Sequence, residues 1–334
     1  LQMAISIEEQ FYGRDDQETQ ITLQYLAELL LVEGRLERAD EIYYELGRLD
    51  LDRGQLLREQ GAFEIAQEQL ELSQNSFESM ASPAPETELL VRNELGLVAS
   101  DRGRFNEAID IYQGILAELP NVVDDFHPAH AVLANNLGEA LFSLGEYEAS
   151  VGWFTDALAR NSITLGNLAE GTLTASTNLA ASLRVMGRYN EAKELLETGL
   201  DELNEASEGF ELQLAQIQTE LGIILLESGN LDRAQSLFEQ AYQLRSRLLP
   251  SEHPEVQASI HNLAKSLRSN GKIDEAISMY EGIWDAHVIR SDNRARILYE
   301  LASSFADLGD FEGAQAYFEE AMKTGRQILE PSHS

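Results

Sequence analysis

The chain of 334 residues contains no cysteine, only four lysines, and no apolar run approaching the roughly 20 residues that a membrane helix needs. Each absence excludes a class of chemistry. Without cysteine there is no disulfide, thiolate zinc site, iron–sulfur cluster or cysteine nucleophile, although the redox compartment stays open. Without a long apolar run, and with Leu1 opening on neither a basic region nor an apolar leader, the chain reads as water-soluble, and the cytoplasm is the expected compartment. Basic side chains are scarce altogether: 24 Lys+Arg face 58 Asp+Glu, a formal net charge of −34. That field repels phosphate backbones and anionic lipid, so neither nucleic acid nor a membrane surface is an expected partner.

Catalytic signatures are missing as well. No Gly-x-Gly-x-x-Gly, phosphate-binding loop, Gly-x-Ser-x-Gly or His-Glu-x-x-His occurs. There are six histidines, and two of them sit in His-Pro pairs that recur along the chain. His127 and His130 have a spacing that can hold a metal, but Pro128 follows the first and no third ligand is apparent. Neighbouring carboxylates carry little information among so many acids on solvated helices. No catalytic residue, metal or cofactor is therefore expected, and the chain is read as a non-enzyme.

What is present is one pattern copied along the length. Gly61, Gly103, Gly145, Gly187, Gly229 and Gly271 stand 42 residues apart, with Gly34 and Gly309 as irregular outer members. Five residues after each glycine comes a small side chain (Ala39, Ala66, Ala108, Ser150, Ala192, Ala234, Ala276, Ala314), and nine after it a large apolar one (Tyr43, Leu70, Tyr112, Phe154, Leu196, Phe238, Tyr280, Phe318). These offsets trace one face of a helix. Seven residues before each glycine stands Ala27, Gly54, Gly96, Gly138, Ala180, Gly222, Ala264 or Ala302, small residues that suit a close helix crossing. Each unit therefore reads as helix, glycine turn, helix, with the glycine free to take the positive φ that follows a helix C-terminus.

Stretches such as Asn262-Leu263-Ala264 followed by Gly271-Lys272-Ile273-Asp274-Glu275-Ala276 resemble the tetratricopeptide repeat, in the long form seen in kinesin light chain; His127-Pro128 and His253-Pro254 match the His-Pro pair that often precedes the first helix of that form. The resemblance implies an all-α, right-handed α-solenoid (superhelix) of about eight units that binds proteins or peptides. Residues 1–12 resemble half of a second helix from a preceding unit, residues 20–60 hold irregular first repeats, 61–309 the regular ones, and 310–334 the last second helix and tail. The first two units are only 27 apart, so a short second helix or a disturbed register is expected in unit one. Neither end carries a polar cap, and the chain is expected to be a segment of a longer array.

In the resembled family the first helices line the inner wall where ligands lie. Read in this way, Asn136, Asn178 and Asn262 share one register nine residues before the glycine, and an amide there offers a donor and an acceptor to a peptide main chain. The alternative is that these amides solvate a helix or bond a neighbour. Asn135, Arg184, His261, Lys265 and Arg268 fall on the same stripe, and its cations can select a partner with acidic side chains. Pairing with the abundant acids of the chain itself is the competing use. The function expected is thus a non-catalytic binding scaffold, its rival being the sensory or regulatory arm of a larger bacterial signalling protein.

Overall fold

In a computed structural model of the chain the described residues are 16–206, 209–251, 253–285 and 291–329, so the expectation placed on residues 1–12 lies outside them. Among the described residues there are fifteen α-helices and no strand. They fall into two compact units that divide between Thr164 and Leu165. The first holds α1 (Gln17–Val32), α2 (Leu36–Glu59), α3 (Phe63–Glu78), α4 (Pro85–Asp101), α5 (Phe105–Glu118), a 3-10 turn (Leu119–Asn121), α6 (Ala129–Leu144) and α7 (Tyr147–Thr164). The second holds α8 (Glu170–Val185), α9 (Tyr189–Glu205), α10 (Glu211–Glu227), α11 (Leu231–Leu248), α12 (Pro254–Ser269), α13 (Ile273–Asp285), α14 (Ser291–Asp307) and α15 (Phe311–Leu329). The fold is the helix-pair α-solenoid expected from the repeat.

The eight marker glycines close the helix pairs with φ of 73° to 91°. At Gly103 the turn is sealed by the glycine N–H on the Ser100 carbonyl at 2.9 Å and by the Arg104 N–H on the Ala99 carbonyl at 2.8 Å, which satisfies carbonyls left over at the helix end. The glycines seven residues earlier serve packing instead. A Cβ on Gly96 would stand 2.5 Å from Tyr112 Cε1, and one on Gly138 2.6 Å from Phe154 Cε1. Both rings are fully buried, so each glycine lets its helix sit directly on an aromatic side chain.

The short spacing between the first two units has a different origin from a shortened helix. α2 runs without a break for 24 residues. It carries Ala39 and Tyr43 of unit one and Gly54 of unit two on one continuous rod, so the second helix of the first repeat is also the first helix of the second. No proline interrupts it, and its two internal glycines are close-approach positions: a Cβ on Gly47 would stand 2.7 Å from the Phe77 ring, and one on Gly54 2.7 Å from Leu70.

Candidate functional site

First helices of successive repeats touch one another, α2 with α4 and α4 with α6 in the first compact unit, α8 with α10, α10 with α12 and α12 with α14 in the second. Of the sequence-predicted site residues, Asn136, Arg184 and Arg268 bridge such contacts.

In the first compact unit Asn136 Nδ2, on α6, donates to Asn93 Oδ1, on α4, at 2.9 Å. Asn135 donates along its own helix to Glu139 at 2.9 Å. Both asparagines are half-buried, and the Asn93–Asn136 bond ties one first helix to the next. Asn93 has the residue type that the inner-wall stripe calls for, ten residues before its glycine, yet the register of the other three amides passes it by.

In the second compact unit Asn178 on α8 is half-buried and already has a partner. Arg184, two turns further along, reaches across to α10, where its Nη1 lies 2.8 Å from Glu227 Oε1. Glu220 on the same helix is held above the usual carboxylate range by burial, against the opposing pull of Arg184 and Arg245. Arg268 on α12 likewise reaches α14, with Nη1 2.8 Å from Glu300 Oε2 and Nε 3.3 Å from Asp307 Oδ2. Two of the cations that sequence reasoning offers to a partner thus already hold carboxylates of the chain itself.

His261, Asn262 and Lys265 share α12 with Arg268. Asn262 is half-buried and its side chain makes no hydrogen bond to another described residue. Lys265 is exposed and carries no ion pair among the described residues. The His261 ring stands 6.2 Å from that of Tyr280, and its Nδ1 is buried without a partner among the described residues. Burial lowers its pKa to about 4, helped by the positive charge of Arg296, Lys265 and Arg268 around it. Sequence reasoning missed Arg296, on α14, which completes this basic surrounding. For Arg184 and Arg268 the competing use, pairing with acids of the chain itself, is the one found, and those acids recur at a fixed offset. A third example sits in the first compact unit, where Arg58 on α2 lies 3.3 Å from Glu94 and 3.2 Å from Asp101 on α4.

Comparison with known proteins gives a consistent picture. A family profile described as tetratricopeptide repeat matches residues 87–163, 171–247 and 213–283, and a second with the same description matches 261–327. The chain is 23% identical over 379 residues to "Protein KINESIN LIGHT CHAIN-RELATED 3" of Arabidopsis thaliana, covering 93% of this chain and 57% of that protein. It is 21% identical over 223 residues to "Secreted RxLR effector protein RXLR-C07" of Plasmopara halstedii, covering 66% of this chain and 68% of that protein. The chain thus spans between one half and about two thirds of the length of these relatives. Among solved structures, the quorum sensor NprR from B. thuringiensis matches in its apo form with a TM-score of 0.58 at 16% identity, covering 92% of this chain and 99% of that one. NprR in complex with its cognate peptide NprX matches with a TM-score of 0.57 at 16% identity, covering 95% and 99%.

Proposed function

Since the chain belongs to the tetratricopeptide repeat family, we propose that it is a non-catalytic scaffold that binds a protein or peptide along the faces of its first helices. The observation that carries this reading is the second compact unit's α12, where an amide (Asn262), a cation (Lys265) and an imidazole nitrogen (His261), each without a partner among the described residues, stand together in a chain of net charge −34. Groups left unsatisfied at a half-buried surface are the ones a ligand can satisfy. Asn262 holds the peptide main chain there, Asn178 does so on α8 by exchanging its present partner, and Asn136 with Asn135 serves the same role within the first compact unit. Lys265, with Arg296 and His261, reads acidic side chains. Arg184 and Arg268 contribute by fixing the wall, since each is committed to the neighbouring helix. NprR with its cognate peptide NprX is a precedent for a chain of this fold taking a peptide.

The test is titration of the whole chain with a labelled, extended peptide bearing aspartate and glutamate, against the same peptide with asparagine and glutamine. Asn262→Ala should weaken both by about 1 kcal/mol, the worth of a hydrogen bond to a half-buried peptide group. Lys265→Ala should weaken only the acidic peptide, and added salt should mimic it by screening. Equal affinity of the two peptides, unmoved by Lys265→Ala, refutes the acidic preference; affinity unmoved by Asn262→Ala refutes the site. The same groove would serve a sensory or regulatory arm of a larger signalling protein, with a signalling peptide as its ligand.

A further inference from the structure

The first compact unit has an open apolar pocket that none of the asparagines explains. It has a volume of about 360 Å³ and is enclosed by the N-terminal halves of α4 and α6, the end of α5 and the segment that follows its 3-10 turn. Its floor is core: Ile115 is 0% and Leu119 1% exposed. Its lip is not, because Leu90 and Val132 are 52% and 49% exposed. An apolar concavity of this size, open at the lip, is where a large apolar side chain gains most by leaving water.

Two further features say what kind of molecule carries that side chain. Asn93 lines the pocket, and its Oδ1 is taken by Asn136, which leaves its amide N–H groups unspent among the described residues. They offer donors to a main-chain carbonyl beside the buried side chain. The surroundings are acidic. Glu86 stands on the rim and Asp124 in the same segment as the lining residues Val123 and His127; both acids are exposed and neither has an ion pair among the described residues. The nearby cations are already used, Arg92 by Glu118 and Arg160 by Asp156 and the carbonyl of Asp125. Residues 1–164 hold 31 acidic and 10 basic side chains, and no lysine.

We propose that this pocket docks a peptide segment of a partner protein in which a large apolar residue is flanked by lysine or arginine. The apolar side chain fills the pocket, its main-chain carbonyl accepts from Asn93, and the flanking cations lie over Glu86 and Asp124. The proposal goes beyond the acidic-ligand site, which lies in the other compact unit and calls for the opposite charge.

The experiment uses the whole chain and fluorescein-labelled nonapeptides with a Lys-Phe-Lys centre in a serine background, followed by anisotropy. Replacing the phenylalanine by alanine should weaken binding about tenfold or more, the value of one large side chain leaving water. Exchanging the lysines for glutamates should weaken it further, and added salt should reduce only the lysine peptide. In the protein, Leu90→Lys and Val132→Lys place a cation on the half-exposed lip, where the helices tolerate it; each should abolish binding of the lysine peptide while the thermal melt stays in place. Glu86→Lys should weaken the lysine peptide and leave a serine-flanked one unchanged. Equal binding of the lysine and glutamate peptides, no response to either lip variant, or displacement of the label by the acidic peptide used for the second compact unit overturns the proposal.

Discussion

The contact of α12 with α14 and that of α4 with α6 join first helices of successive repeats by different chemistry. At the former, Arg268 lies between two acids, Glu300 and Asp307; at the latter, two amides share one hydrogen bond. The choice follows a rule that runs through the repeats. Where arginine stands three residues before the marker glycine (Arg58, Arg184, Arg268), the next first helix carries glutamate nine residues and an acid two residues before its own glycine (Glu94 and Asp101, Glu220 and Glu227, Glu300 and Asp307). Where that place is Ser100 or Leu226, the following helix carries Asn136 with Ser143, or Asn262 with Ser269. Charged contacts are closed upon themselves, whereas the uncharged ones keep an amide in reserve. The proposed function thus places binding at the uncharged contacts, where an amide is left over.

The comparison breaks first at Arg268. Arg268→Ala takes the ion pair from the half-buried Glu300 and the exposed Asp307, and should lower stability by about 2 kcal/mol, below the cost of opening a fully buried pair. Chemical denaturation read by circular dichroism checks it; a loss no larger than that of Asn136→Ala would mean that the clamp is an ordinary surface pair. A transplant sharpens the rule. Leu226→Arg, Asn262→Glu and Ser269→Asp together should couple favourably by about 1 kcal/mol relative to the sum of the separate substitutions, measured as a mutant cycle. Additive effects would show that the offsets do not by themselves bring the three groups together on α10 and α12.

Asn136→Ala removes one hydrogen bond from a half-buried contact and should cost about 0.5–1 kcal/mol in the same denaturation measurement. A separate effect concerns pH. His261 has its folded pKa lowered from 6.5 to about 4, so the stability tied to its neutral form is complete above pH 6.5 and is lost as pH falls towards 4. His261→Gln should therefore flatten the stability profile between those limits and change little at pH 8. A bound carboxylate raises the folded pKa, so an acidic peptide should bind more tightly at pH 5 than at pH 7, with uptake of a proton. Proton NMR of the imidazole, with and without the peptide, reads both effects.

How much of this could be seen beforehand depends on range. The glycine turns and the small residues at helix crossings are local to a repeat and recur at fixed offsets, so Gly103 and Gly96 declare their roles from spacing alone. Ala276 is fully buried and Ser278 exposed, as the same offsets require. The fused α2 was visible only as a deficit of residues between Gly34 and Gly61, because a short second helix and a shared one both shorten that distance. The absence of proline between Leu36 and Glu59 was the missing clue. At the candidate site, the asparagine register could be found because it repeats within one helix position. The commitment of Arg184 and Arg268 could not be found from one helix at a time, since their partners lie a whole repeat further on. Arg296 and the pocket beside Asn93 depend on packing between helices, and no single stripe announces them.

The rod that α2 forms changes how the start of the array can come apart. In a stack of separate hairpins each repeat can open at its own free-energy cost, linked to its neighbours only by surface contact, as in a one-dimensional chain of weakly coupled switches. Units one and two lack that freedom. Their shared helix of 24 residues, about 36 Å long, carries the core residues of both, so fraying the middle of the rod exposes Tyr43 and Leu51 together. These two repeats should therefore open as a single unit, with amide protons on α1 and α3 exchanging at one common rate set by that joint opening.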